Sequence, residues 1–164
     1  KTGEFKLTKT NNNGSYNDMY MHNAHITIYD KLGHLAEKIQ TPLLKHKTPD
    51  DIDELNQPQS KIFNTDGSIW NVTSDHGKTN TKTNITILTG HVIMHRPATQ
   101  TKPDTVIKTN KVIYNANTKM AYCPEHVKVI QPNQISQADS AVINTKTHEI
   151  TGEKMHTVEK NSKE

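Results

Sequence analysis

The sequence predicts an all-β fold built from stacked hairpins, and three observations predict it. No segment sustains a 3.6-residue apolar period, whereas β-branched and polar residues alternate along most of the chain. Half-repeats in the second half share a frame: 15 residues separate Asp75, in Trp70-Asn-Val-Thr-Ser-Asp75-His-Gly77, from Gly90, in Leu88-Thr-Gly90-His-Val92. The same interval separates Asn110 from Glu125, in Cys123-Pro-Glu125-His-Val127, and a shorter copy runs from Ile135-Ser-Gln-Ala-Asp139 to Ile150-Thr-Gly152. Recurring strand–turn–strand units of this kind stack into a sheet with open ends and a continuous interior. Third, only 31% of the 164 residues are hydrophobic, and mean hydropathy is −0.82. A thick core is thereby excluded, and a thin β structure with one apolar face is expected.

In chain order, residues 1–20 include Asn11-Asn-Asn-Gly-Ser15 and offer little to bury, so they read as a flexible arm, as do residues 159–164. The domain proper is 21–158. Residues 24–29 alternate cleanly, Asp30-Lys-Leu-Gly33 turns, and 35–41 return; Gly33 can take a positive φ in such a hairpin. The acidic, Pro-started stretch 48–54 suggests a single helical turn or a loop. Strands follow at 58–63 and 69–74, with Gly67 in the turn between them. Residues 85–95 carry the longest β signal, rich in branched residues and free of Pro until Pro97. Strands at 106–114, 119–130, 134–144 and 147–158 complete nine or ten.

Parity adds a corner. Trp70 and Val72 lie an odd number of residues before Asp75, and Gly77 an even number after it, so one regular strand cannot place all three on its inner face. The same slip recurs between Ile107 and Val112. A bulge or corner is therefore expected at Ser74–Asp75 and at Thr109–Asn110, letting the sheet fold over itself.

Charge, cysteine and motif content exclude several classes. The net charge of +3 comes from scattered lysines, which favour anionic partners only weakly and read as solubilising strand faces and edges. Cys123 is the only cysteine, so no intrachain disulfide forms. No run of 18 apolar residues and no signal-peptide core are present; a start at Lys1 rather than Met is consistent with an upstream segment having been removed. Ten histidines invite a metal reading, but His91 and His95 would lie roughly 13 Å apart along a strand. No carboxylate or cysteine cluster joins them at zinc spacing, so neither metal nor cofactor is expected. Asp75-His76 lacks a nucleophile elbow, and catalysis is not expected. Asn71-Val-Thr73 and Asn84-Ile-Thr86 fit a glycosylation pattern that arises by chance in an Asn/Thr-rich chain. Sparse, unclustered aromatics argue against nucleic-acid binding.

The series Asp30-Lys-Leu-Gly33-His-Leu35, Leu55…Pro58, Ile62-Phe63, Trp70-Asn-Val72-Thr-Ser-Asp75 and Leu88-Thr-Gly90-His-Val92 resembles the periplasmic domain of the LptC family of lipopolysaccharide export proteins. The likeness spans about residues 21–158. Glu125 stands where the first repeat has Gly90, and the last repeat is two residues shorter. The resemblance implies a folded-over antiparallel sheet, a β-jellyroll or β-taco open at both ends with an apolar groove. It further implies a non-catalytic periplasmic domain of a single-pass inner-membrane protein. Such a domain receives lipopolysaccharide from the inner-membrane LptB/LptF/LptG extractor and passes it to the bridge protein LptA.

On that reading, alternation nominates Leu88, Val92 and Met94 on one strand, with Trp70, Val72 and Ile107 from its neighbours, as the lipid-binding groove. Ile28, Val127, Val129 and Ile143 extend the row, Gly90 shares the face, and Thr86 serves as the contrasting outward position. The alternative for each residue is packing alone, and for Gly90 a bulge or close backbone approach. The terminal edges would bind partners by strand addition: Ala24, Ile26 and Ile28 toward the extractor, Ile150, Gly152 and Met155 toward LptA. A soluble LptA-type bridge protein is the nearest alternative, and a β-sandwich carbohydrate-binding or adhesin module the alternative from another class.

Overall fold

Four long strands that turn a corner organise the molecule. The structure is a computed structural model; it describes residues 2–9 and 17–160, with side chains from residue 19 onward. Among the described residues, fifteen strands form one sheet with antiparallel pairing. They are β1 (Thr2–Lys9), β2 (Asn17–Tyr29), β3 (Leu35–Lys47), β4 (Ile52–Asn56), β5 (Gln59–Phe63), β6 (Ile69–Thr73), β7 (His76–Asn80), β8 (Ile85–Arg96), β9 (Thr105–Asn115), β10 (Met120–Cys123), β11 (Val127–Gln131), β12 (Gln134–Ala138), β13 (Ser140–Asn144), β14 (Ile150–Glu153) and β15 (His156–Glu159).

The long strands change partners along their length. β3 pairs with β5 through residues 37–40 and with β4 through 43–47. β8 pairs with β7 through 85–89 and with β6 through 93–95. β9 pairs with β11 through 106–109 and with β10 through 113–115. The sheet thereby doubles back into two layers. The first layer runs β2-β3-β5-β6-β8-β9-β11-β12-β15, and the second runs β1-β2-β3-β4-β7-β8-β9-β10-β13-β14. Because side chains alternate across a strand, each layer turns one apolar face inward.

The corners form a spine along one side. Residues 89–92 of β8 oppose 109–111 of β9, so β8 carries one extra residue, with Gly90 at φ 78° and His91 at φ 46°. This is a bulge of the kind that bends a strand and lets it change sheets. Asn23, Gln57 and Lys154 take the same left-handed conformation at other corners. Backbone bonds carry the ladder around the bend: Gln57 N–H donates to Asp75 C=O at 2.8 Å, Asp75 N–H to Gly90 C=O at 2.8 Å, and Asp139 N–H to Glu153 C=O at 3.0 Å. The 15-residue frame from Asp75 to Gly90 is the distance between two successive crossings of this spine.

The expected corner at Ser74–Asp75 separates β6 from β7. The corner expected at Thr109–Asn110 is where β9 passes from β11 to β10, but β9 runs through it as one strand and the extra residue lies opposite, in β8. Several other expectations change. The 48–54 stretch, expected as a helical turn or loop, leads into β4, where Asp53 is buried and accepts from His46 Nδ1 at 2.6 Å. Strand β7 was not expected, because its inward positions are Gly77 and Thr79 rather than branched residues. A Cβ at Gly77 would meet Leu88 Cδ2 at 3.1 Å, so the facing leucine fills the slot a side chain would occupy. Of the arm expected at 1–20, residues 2–9 form β1, paired along residues 17–25 of β2; 10–16 lie outside the described residues. Of the tail expected at 159–164, Glu159 ends β15 and 161–164 lie outside the described residues.

The bulge makes Gly90 costly to replace. A Cβ there would sit 2.6 Å from Asp75 Oδ2 at φ 78°, whereas at Gly33, φ 84°, nothing lies within 4 Å. Gly33→Ala is expected to cost roughly 1 kcal/mol, from the backbone conformation alone, and Gly90→Ala at least about twice that. Urea unfolding of the two variants provides the comparison.

Candidate functional site: the apolar trough and its rims

Two cross-strand rows line the interior. In the first layer Ile26, Ile39, Ser60, Val72, Met94, Ile107 and Val129 sit directly opposite one another on successive strands. In the second the row is Met21, Leu44, Leu55, Gly77, Leu88 and Val112. A trough bounded by these rows runs across the strands, from one end of the sheet toward the other.

Ten of the eleven residues expected in the groove point into this trough. Trp70, Val92, Ile107, Val127 and Ile143 have no exposed surface, and Met94, Val72, Ile28, Leu88 and Val129 are 1–7% exposed. Gly90 is the exception. It sits in the spine bulge with its missing side chain toward Asp75, which is the close backbone approach weighed for it. Thr86, expected to point outward, points inward, 1% exposed, with its hydroxyl 2.8 Å from that of Thr79; the outward neighbour is Ile87. Sequence reasoning missed Met21, Ile39, Leu44, Leu55 and Val112. Ile39 followed from the alternation of β3, whereas Leu55 stands in an acidic segment that carries no such signal.

Opposite the spine, the two layers meet along a polar rim. Trp70 Nε1 and Asn64 Nδ2 of the first layer both donate to Thr145 C=O of the second, at 3.0 and 2.7 Å. Lys119 Nζ donates to Phe63 C=O at 3.3 Å, and Asn84 Nδ2 to Tyr29 C=O at 3.2 Å. The His148 ring lies 5.9 Å from that of Trp70, and the Arg96 guanidinium lies 5.5 Å from it. Arg96 is almost wholly buried and donates to Pro103 C=O at 2.6 Å. Buried polar atoms gather here without a protein hydrogen bond: Glu37 Oε2, Asn64 Oδ1, Arg96 Nε, the Tyr114 hydroxyl and His148 Nδ1.

Burial sets the charge states at this rim. Glu37, held by Ser60 Oγ at 2.6 Å, is pushed up to about 7 by loss of water; the hydroxyl of Ser60 and the Lys119 ammonium only partly offset this. Burial also lowers Lys119, Arg96 and His148 and raises Tyr114. The Cys123 thiol, enclosed on the trough wall, is pushed up to about 12 and is not a nucleophile at neutral pH. The polar residues weighed for metal chemistry are engaged elsewhere: His91 pairs with Asp75 at 2.7 Å and His95 with Asp104 at 2.8 Å, both on the exterior.

Among the described residues, both ends of the sheet present free strand edges. β14 and β15, within the 147–158 stretch expected as an edge, are the last strands of the second and first layers. Ile150 and Gly152 lie in β14, while Met155 lies in the turn after it, 38% exposed. At the other end β1 covers β2 as far as His25. Ala24, expected at a free edge, is therefore covered, and the open edge begins at Ile26. The exposed large apolar side chains favour these ends: Tyr29 and Leu32 at one, Tyr122, Val142, Met155 and Val158 at the other.

This architecture is a folded-over β-jellyroll, open at both ends with an apolar interior, the fold of lipopolysaccharide-transport proteins of the LptA type. Residues 3–152 match the model of a family described as lipopolysaccharide-assembly, LptC-related, and the chain belongs to that family. No curated protein matches it. Among solved structures, the chain is similar to LptH of Pseudomonas aeruginosa, described as the LptA-homologous periplasmic component of the conserved lipopolysaccharide transport device. The TM-score is 0.59 at 12% identity, covering 74% of this chain and 93% of that one. Family and fold together support a role in lipopolysaccharide transport.

Glu37 gives the rim a pH dependence of definite sign. Its value is about 7 when folded, above the ordinary 4.5, so the folded state holds a proton that the unfolded state has released between those values. Stability from this group is complete below about pH 4.5, declines as pH rises and is lost above about 7. Glu37→Gln, which keeps a neutral acceptor for Ser60, is expected to raise stability at pH 8 by on the order of 3 kcal/mol. At pH 4.5 it should have little effect. Chemical denaturation at the two pH values measures the difference.

Proposed function

We propose that this chain is a periplasmic lipopolysaccharide-transfer module, which takes the lipid from an inner-membrane extractor complex of the LptB/LptF/LptG kind and passes it to an LptA-type bridge protein. The observation that carries this reading is a continuous apolar trough running toward two ends that both present free strand edges. The reading assigns the chain no catalytic step. Anchoring by a single membrane helix outside residues 1–164 belongs to the same proposal.

In the structure the trough is filled by the chain's own side chains, so acyl chains enter only by parting the layers. The spine is continuous backbone hydrogen bonding and resists this. The opposite rim is weaker, since it rests on a few side-chain bonds among polar atoms that are already incompletely paired, and a buried unpaired atom costs about 1–3 kcal/mol. Lipid therefore enters at the rim, displacing Trp70, Met94 and their neighbours. Each CH₂ buried contributes ~0.8 kcal/mol; the displaced protein contacts offset much of this, which keeps the lipid transferable.

A photo-crosslinking side chain at Val92 or Ile107 is expected to capture lipopolysaccharide, whereas one at Ile87 or Ile93, on the outer faces, captures little; equal capture at all four positions would remove the trough from the mechanism. Removing residues 145–164 deletes β14 and β15 and is expected to abolish binding to an LptA-type protein while inner-face capture at Val92 persists. Unchanged pull-down by the shortened chain would assign that contact elsewhere.

A further inference from the structure

The lysines look scattered in the sequence, but strand register gathers some of them. On the outer face of the first layer, Lys38 of β3 lies directly opposite Lys61 of β5, and Lys108 of β9 directly opposite Lys128 of β11. Like charges so placed repel and destabilise a sheet. No carboxylate relieves them: the outward positions of this layer from β2 to β12 hold no Asp or Glu. Among the described residues, neither Lys38 nor Lys61 has a carboxylate partner; the bordering Asp75 and Asp104 are each engaged by a histidine. The second layer's outer face differs. There Glu54 stands between Lys45 and Lys78 in register, and pairs with Lys47 at 2.7 Å.

The first pair lies in a concavity. A cleft of about 520 Å³ opens over β2, β3, β5 and β6, on the outside of the sheet. One row across it is Lys38–Lys61–Asn71 and the next, two residues along the strands, is His25–Gln40–Gln59. The rows are about 7 Å apart at ~3.3 Å per residue. Lys38 Nζ is steadied above the Phe63 ring, 5.9 Å from its centre. One row of the recess thus carries two adjacent ammonium groups with the Asn71 amide beside them, and the next row offers the amides of Gln40 and Gln59, each able to donate and accept. The volume is that of a small-molecule site. A bilayer surface is flat and cannot reach into it.

We propose that this outer cleft binds a phosphorylated saccharide, with Lys38 and Lys61 on the phosphate and Gln40, Gln59 and Asn71 on sugar hydroxyls. The chemistry stands on the cleft alone. Only the natural source, the phosphorylated sugar head of the transported glycolipid rather than a free sugar phosphate, rests on the transfer reading above.

The test titrates the whole chain, followed by NMR, with glucosamine 6-phosphate, glucosamine, inorganic phosphate and phosphatidylglycerol vesicles in parallel. Glucosamine 6-phosphate is expected to shift the Lys38, Lys61 and Asn71 signals saturably, with glucosamine and inorganic phosphate each at least tenfold weaker. The double variant Lys38→Gln/Lys61→Gln is expected to weaken sugar-phosphate binding tenfold or more. It should also raise the thermal midpoint at low salt, since it relieves repulsion. A control, Lys78→Gln/Lys111→Gln on the other outer face, should change binding less than twofold. Equal affinity for inorganic phosphate would reduce the cleft to an unspecific anion patch, and equal loss in the control would reduce it to bulk charge. Shifts with vesicles only, or no shift, would overturn the proposal. Such a failure with lipid capture at Val92 intact removes the cleft and leaves the transfer reading standing, whereas loss of capture at Val92 with sugar-phosphate binding intact removes the transfer reading and leaves the cleft.

Discussion

The structure depends on the bend. A chain with so little apolar material cannot enclose a thick core, and a flat sheet of these strands would leave one greasy face in water. Doubling the sheet on itself brings two such faces together and makes a core one pair of side chains thick. What permits the doubling is local: an extra residue at Gly90–His91 and left-handed residues at other corners, tied across strands by backbone hydrogen bonds from Gln57 through Asp75 to Gly90. Both inner rows, and hence both layers of the trough, take their positions from that seam.

Much of this was legible in the sequence, for a physical reason. Alternation in 24–29, 85–95 and 106–114 reports side chains that either pack inside or meet water, and the inward placement of Ile28, Leu88, Val92, Met94 and Ile107 followed from it. The parity slip around Asp75 located one corner, because a residue that changes face must do so where the backbone turns. Illegible elements have inner positions occupied by something other than a branched hydrophobe. β7 turns Gly77 and Thr79 inward, and β4 turns Asp53 inward beside His46. Gly90 was placed on the inner face because counting by twos assumes a regular strand, and the bulge breaks the count there. The polar rim left no sequence trace at all: Asn64 and Trp70 lie 81 and 75 residues before Thr145 and meet it only when the layers close.

The two sides of the folded sheet are chemically unlike. One side is a spine held by main-chain bonds, with Gly90 required at its bulge. The other is a seam of buried polar side chains with Glu37, Tyr114, Lys119, Arg96 and His148 held away from their ordinary titration ranges. On the proposed transfer reading the sheet opens and recloses, and this asymmetry places the strain on replaceable contacts while the ladder keeps strand register. The outer faces are unlike as well, mixed in charge on the second layer and cationic or neutral at the outward strand positions of the first from β2 to β12.

The last two strands belong to different layers, β14 to one and β15 to the other. Stacked sheets sit ~10 Å apart, so a single added peptide strand can extend only one of the two walls. A partner that prolongs the conduit without a leak at the joint must offer two strands at matching separation, and so must itself be folded over. On the proposed transfer reading, the geometry at this end therefore favours kin: a chain with the same cross-section mates flush, and an ordinary flat sheet leaves half the passage unroofed.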